Sequence, residues 1–144
     1  MVKIAGCERP LVLVALVVPL LVATGRHRAQ STGPDELSPF LGRWHGESLC
    51  VARNTACQDE TVIYHITEPP AKSDSVLVAA DKLVRGKAIP MGTLEFHYDP
   101  EQRQLVCEYA QGVWRLRVED GKIEGMLTRP NHLVFRRLSL RKDS

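Results

Sequence analysis

The side chains that could do chemistry in this 144-residue chain are five histidines, four cysteines, an adjacent acid pair and one strand serine. The histidines are His27, His45, His65, His97 and His132. A zinc site needs three or four ligands at short, recurring spacings, and no two of these residues stand at such a spacing. Cys50, Cys57 and Cys107 lack a C-x2-C pair, and no histidine pair completes them. No metal is expected. Asp59 and Glu60 are neighbours, but neighbours on a strand point to opposite faces, so they do not form a ready acid and base. Asp59 suits a turn. Glu60 has two readings: plain surface charge, or a carboxylate just inside a cavity mouth, bonded to a ligand or an arginine. Ser48 lacks the G-x-S-x-G surroundings of a nucleophile elbow. The sequence therefore assigns no catalytic residue and no cofactor, and its expected role is non-enzymatic.

Two groups of residues carry more. Cys50 and Cys57 bracket VARNTA, a short polar stretch between two strand-like runs, and that spacing suits a disulfide across a hairpin mouth in an oxidising compartment. Cys107, in QLVCEYA, reads as a small buried apolar group. The aromatic residues Tyr64, Phe96, Tyr98, Tyr109 and Trp114 all fall in strand-like runs. They either fill a small barrel, whose interior can be just wide enough for side chains, or line a ligand cavity with tyrosine hydroxyls as polar handles. On the second reading the candidate ligand-binding residues are Tyr64, Phe96, Tyr98 and Trp114, with Glu60 at the mouth.

The elements that must position these residues are strands. Alternating or β-branched runs cover 43–51, 60–67, 75–84, 93–98, 103–109, 113–118, 122–128 and 132–140, separated by turn residues. Asp120-Gly121 is the sharpest hairpin signal, because it supplies the positive φ of a two-residue turn. In TLEFHY, parity puts Leu94, Phe96 and Tyr98 on one face; Leu105, Cys107 and Tyr109 follow on the next strand, then Trp114, Leu116 and Val118. His65 and His97 fall on the opposite, outward face. Eight short strands joined by hairpin-length connections predict an all-β, eight-stranded antiparallel up-and-down barrel, since closure also removes exposed edges. A single helical turn is expected over 37–41.

The first residues differ in kind. A basic start precedes residues 11–23 (LVLVALVVPLLVA), an apolar run of 13. That is short of the ~20 needed to span a bilayer and matches a signal-peptide core. Residues 1–25 read as a signal peptide forming a helix, with an uncleaved membrane anchor as the alternative. Residues 26–38 read as a flexible linker, and 39–144 as the barrel. The expected location is secreted or periplasmic, or membrane-anchored by that segment alone. The formal charge of +2 is misleading: four of 19 Lys plus Arg and one of 17 acids precede Gln30, leaving 15 against 16. A near-neutral surface of interspersed charge is not that of a nucleic-acid binder.

Gly42-Arg43-Trp44 stands at the entry to the first strand and resembles the G-x-W signature of lipocalins and the wider calycin group. That resemblance implies a barrel closed at one end by Trp44, with a late arginine packed over the indole. Arg136 and Arg137 stand where that arginine belongs, and parity with Leu133 and Phe135 favours Arg137. The barrel is shorter than a lipocalin and lacks the Thr-Asp-Tyr motif, so it resembles a reduced calycin. The chain also resembles a group of small exported bacterial proteins of uncharacterised function. The shared runs are W-x-G-x-S-x-C from Trp44, C-x-D-E from Cys57, M-G-T-L-E-F from Met91, Gly112-Val113-Trp114, and E-G-M-L from Glu124. The expected function is binding of a small hydrophobic or amphipathic ligand in the lumen. The alternative is an envelope interaction module with a filled interior.

Overall fold

The structure is a computed structural model that describes residues 34–52, 55–71 and 73–144. The expected signal segment and the first part of the expected linker lie outside the described residues. Eight strands form one closed antiparallel barrel in sequence order: β1 (Gly42–Cys50), β2 (Glu60–Thr67), β3 (Ser75–Val84), β4 (Lys87–Asp99), β5 (Gln104–Tyr109), β6 (Gly112–Glu119), β7 (Lys122–Thr128) and β8 (Val134–Lys142). Each strand pairs with the next, and β8 returns to β1, with Trp44 opposite Lys142 and Cys50 opposite Arg136. This is the up-and-down barrel that the alternating pattern predicts.

The turns are made by the residues that tolerate them. Arg85 and Gly86 have φ of 51° and 77°, and Asp120 and Gly121 have 49° and 71°. Two positive φ values in a two-residue loop match the right-handed twist of the flanking strands. The inward positions of the pattern are the buried ones: Leu105, Leu116, Ile123 and Leu140 are each 0% exposed. Burying such a side chain contributes about 1.5–3 kcal/mol, so this row anchors the barrel wall.

Before β1, Pro34–Leu37 forms one helical turn, α1, slightly earlier in the chain than the expected 37–41. Pro is suited to a first helical turn, where its missing N–H would have no partner. Leu37 and Phe40 are 4% and 3% exposed and join the core, so the last residues of the expected linker are packed against the barrel. They plug the end at which β1 begins.

Two strands depart from simple alternation. In β4 the pairing jumps from Ala80–Gly92 to Asp81–Pro90, leaving Met91 as an extra residue. The strand thus continues back to Lys87, beyond the expected 93–98. In β8 the pairing jumps from Leu127–Arg136 to Thr128–Val134, leaving Phe135 extra. Each is a β-bulge, which bends its strand and resets the inside-outside order.

Candidate functional site

The barrel interior is divided along its axis. At the closed end Trp44, 1% exposed, belongs to the same buried core as Phe40, Ile66, Val76 and Leu140. The Trp44 indole N–H donates to the Phe40 carbonyl at 2.7 Å, which satisfies its polar atom inside the core. The cation over the indole is Lys142, with Nζ 5.3 Å from the ring centroid. This corrects the expected Trp44–Arg137 clasp. Arg137 is exposed, opposite Leu49 on β1 and Met126 on β7. The bulge at Phe135 is the reason: it shifts parity by one, so Arg136 turns inward and Arg137 outward.

Toward the other end the interior opens into a pocket of about 470 Å³. Its apolar wall includes Tyr64, Phe96, Trp114, Leu127 and Phe135, and Met91 and Gly92 stand at its rim. The tilt of barrel strands explains how one paired row, Trp44–Tyr64–Ala80–Gly92, runs from the filled end to this rim. The space exists because inward positions here are small. Ser48, Ala80 and Gly92 occupy sites where the closed half carries Trp, Ile or Leu.

One side of the pocket is polar. Arg136 reaches across from β8 and donates from Nη1 to Ser48 Oγ at 2.8 Å and to the Ser48 carbonyl at 3.2 Å. Its Nη2 donates to the Gln58 carbonyl at 2.8 Å. Glu60 Oε2 lies 3.2 Å from Arg136 Nη1, and Lys82 Nζ approaches Glu60 Oε1 at 3.7 Å. The Arg136 side chain is 14% exposed, so the guanidinium is largely desolvated and held by neutral acceptors as well as by charge. Cys50, opposite Arg136 in the ladder, forms a disulfide with Cys57, the pairing expected from the spacing.

Burial raises the Tyr64 phenol well above its ordinary range and raises the Tyr109 phenol too. Both therefore stay protonated at neutral pH and remain hydrogen-bond donors or acceptors. Burial also raises the Cys107 thiol, which is free, 5% exposed and inward-facing opposite Trp114. A buried thiol held neutral is a weak nucleophile.

Of the sequence candidates, the structure brings Tyr64, Phe96, Trp114 and Glu60 together in the pocket. Tyr98 is elsewhere. Its ring meets Phe40 edge-on at 6.2 Å, at the closed end, because it lies two residues below Phe96 along β4. Arg136, Ser48, Tyr109 and Phe135 also line the pocket. Tyr109 was visible in the aromatic pattern, whereas the inward turn of Arg136 depends on the bulge. Among the described residues no three His, Cys, Asp or Glu gather as metal ligands.

No model of a known protein family matches the chain. No curated protein matches it either. Among solved structures, the fluorescent protein UnaG, in a point-mutant form, aligns with a TM-score of 0.45 at 16% identity, covering 75% of this chain and 99% of that chain.

Proposed function

We propose that this barrel is a binding protein for a small hydrophobic or amphipathic molecule, held in the pocket above Trp44 with its apolar body against Tyr64, Phe96 and Trp114. The observation that carries the reading is the pocket itself. A volume of about 470 Å³ lies in the range of ~300–1,000 Å³ typical of small-molecule sites, which are apolar with a few placed polar groups. Those polar groups are Arg136, Glu60 and Ser48 at one side, so a polar head would face them while the body points inward. Binding rather than catalysis suits the electrostatics. Glu60, the one carboxylate lining the pocket among the described residues, is engaged by Arg136 and Lys82. The Cys50–Cys57 disulfide fits an oxidising compartment, and with the apolar run at residues 11–23 it supports export to the periplasm or exterior.

The two tryptophans allow a clean test. Trp114 lines the pocket and Trp44 does not. In a Trp44→Phe variant, Trp114 becomes the sole reporter, and titration with fatty acids, aromatic amphiphiles and tetrapyrroles should shift or quench its emission saturably. An unchanged Trp114 spectrum across the whole panel would overturn the reading.

A further inference from the structure

The β3–β4 hairpin does not stop at the barrel wall. Residues 84–93 are all exposed, so the hairpin projects as an arm beside the pocket mouth. Its pairing sets Val84 opposite Lys87 and Lys82 opposite Ile89, and directly opposed residues share a face. Val84 and Ile89 thus continue the inner face of the barrel above the mouth, and Met91 reaches the same rim. These three are 45%, 41% and 43% exposed, and Leu133, in the loop before β8 at the same end, is 66% exposed. Large apolar side chains gathered around one opening mark an interaction surface more than a solvated one.

Charge is gathered there as well. Among the described residues, the connections at the mouth end and the strand ends beside them carry Arg85, Lys87 and Arg129 against Asp59 and Glu60, and Glu60 is paired with Arg136 and Lys82. Asp59 is already used, accepting from the Cys50 backbone N–H at 2.7 Å. Arg85 and Lys87 take part in no ion pair among the described residues. At the closed end the hairpin connections have the opposite sign, with Glu68, Asp74, Asp99, Glu101, Glu119 and Asp120 against Arg103 and Lys122. Among the described residues the hairpin connections are therefore polarised along the axis, with unpaired basic and exposed apolar groups on the arm at the mouth and an acidic excess at the plugged end.

We propose that the mouth end docks on an anionic phospholipid surface, with Val84, Ile89 and Met91 entering the interfacial layer and Arg85 and Lys87 meeting the headgroups. Charge complementarity selects this occupant. A second copy mouth to mouth would set basic residues against basic, and one seated head to tail would set the apolar arm against charged connections, whereas an anionic leaflet attracts basic residues and accepts exposed apolar ones. The arm flanks the pocket, so a docked barrel opens toward the phase in which an apolar ligand dissolves; that last step alone rests on the ligand-binding reading above.

The test needs no ligand. Backbone hydrogen exchange across residues 84–93 is measured for the full chain, and in parallel for the chain from Ser31 onward, whose barrel closes all its own strand edges. Each is mixed with phosphatidylcholine vesicles, with or without a third of phosphatidylglycerol. Exchange in the arm should slow on the anionic vesicles and not on the neutral ones, while residues 99–103 at the closed end are unaffected. Combined Arg85→Asn and Lys87→Gln should lower the docked-to-free ratio roughly thirtyfold, a factor of about five for each basic residue at an anionic surface. Equal protection on both vesicles, or none on either, overturns the proposal. So does protection without lipid that grows with protein concentration, which would make a second copy the occupant. Docking found without any Trp114 response to ligands would leave this surface standing and remove the pocket reading alone.

Discussion

The two halves of the barrel use the same strands to opposite ends. Around Trp44 the inward positions are large and apolar, the chain entry at Leu37 and Phe40 seals the opening, and the indole nitrogen is bonded. Around Arg136 small or polar residues such as Ser48, Ala80 and Gly92 interrupt the aromatic wall, which surrounds space. Stability and cavity are thus segregated within about a hundred residues. A small domain has few core side chains to spare, so a pocket is tolerable only where the other half is closely packed.

Substitutions can break that division, and the largest effect should come from the packed half. Trp44→Ala removes the floor and the bond to Phe40, and should cost about 3–5 kcal/mol in urea-induced unfolding. Leu94→Ala, at the pocket wall where space already exists, should cost much less. Equal losses would mean that the halves are not distinct. Removing the disulfide with Cys50→Ser and Cys57→Ser should cost about 2 kcal/mol by loop entropy, and should also free the Gln58 carbonyl from Arg136.

A further substitution probes the barrel wall between the halves. A Cβ on Gly46 would stand 2.0 Å from the Ser139 carbonyl oxygen, which is backbone and cannot swing aside. Gly46→Ala should therefore destabilise by about 1–3 kcal/mol, as overpacking does, read as a lowered Tm. Ala80→Leu sharpens the comparison from the other side. It grows into the pocket, so stability should change little while saturable quenching of Trp114 is lost.

The smallest effect concerns acid. Hydrogen bonding from His45, and then the Arg43 contact, holds the Asp143 carboxyl below its ordinary value of 3.8. A lowered folded pKa means that its stabilisation is complete above the ordinary carboxylate range and is lost as pH falls through the lowered value. Because Asp143 directly follows the last strand and its carboxylate pairs, among the described residues, only with Arg43 and His45 at the start of β1, the effect should be confined to the end of β8. Amide exchange of Asp143, whose N–H donates to the Arg43 carbonyl at 3.0 Å, should accelerate below pH 3.8 before global unfolding begins.

Much of the wall was legible in sequence because it follows a period of two. The pairing of β5 with β6 and of β6 with β7 runs without a bulge, and Leu105, Cys107, Trp114 and Leu116 are buried as parity requires. Parity failed where a bulge intervened. The expected strand 93–98 stops short of Pro90 and Gly92, yet the extra residue Met91 lets β4 run through them. Phe135 exchanges the facing of Arg136 and Arg137 in the same way. Whether the lumen was filled could not be read from residue types alone. It depends on strand tilt, which places Tyr98 at the plugged end and Phe96, two residues away, in the pocket. The shared acceptors of Arg136 are equally invisible along the chain, because β1, β2 and β8 meet there only after closure.

The ladder between β1 and β8 has a consequence in time. Every other ladder joins strands adjacent in sequence, whereas this one joins Trp44 to Lys142, the first strand to the last. Long-range pairing must overcome the loss of chain freedom before it gains contacts, so it is slow. Hairpins from β2 to β7 can form as the chain emerges, but the cylinder has no seam to close until its final residues arrive. The barrel therefore locks only when its last strand is available, and the order of the strands does the work of a timer.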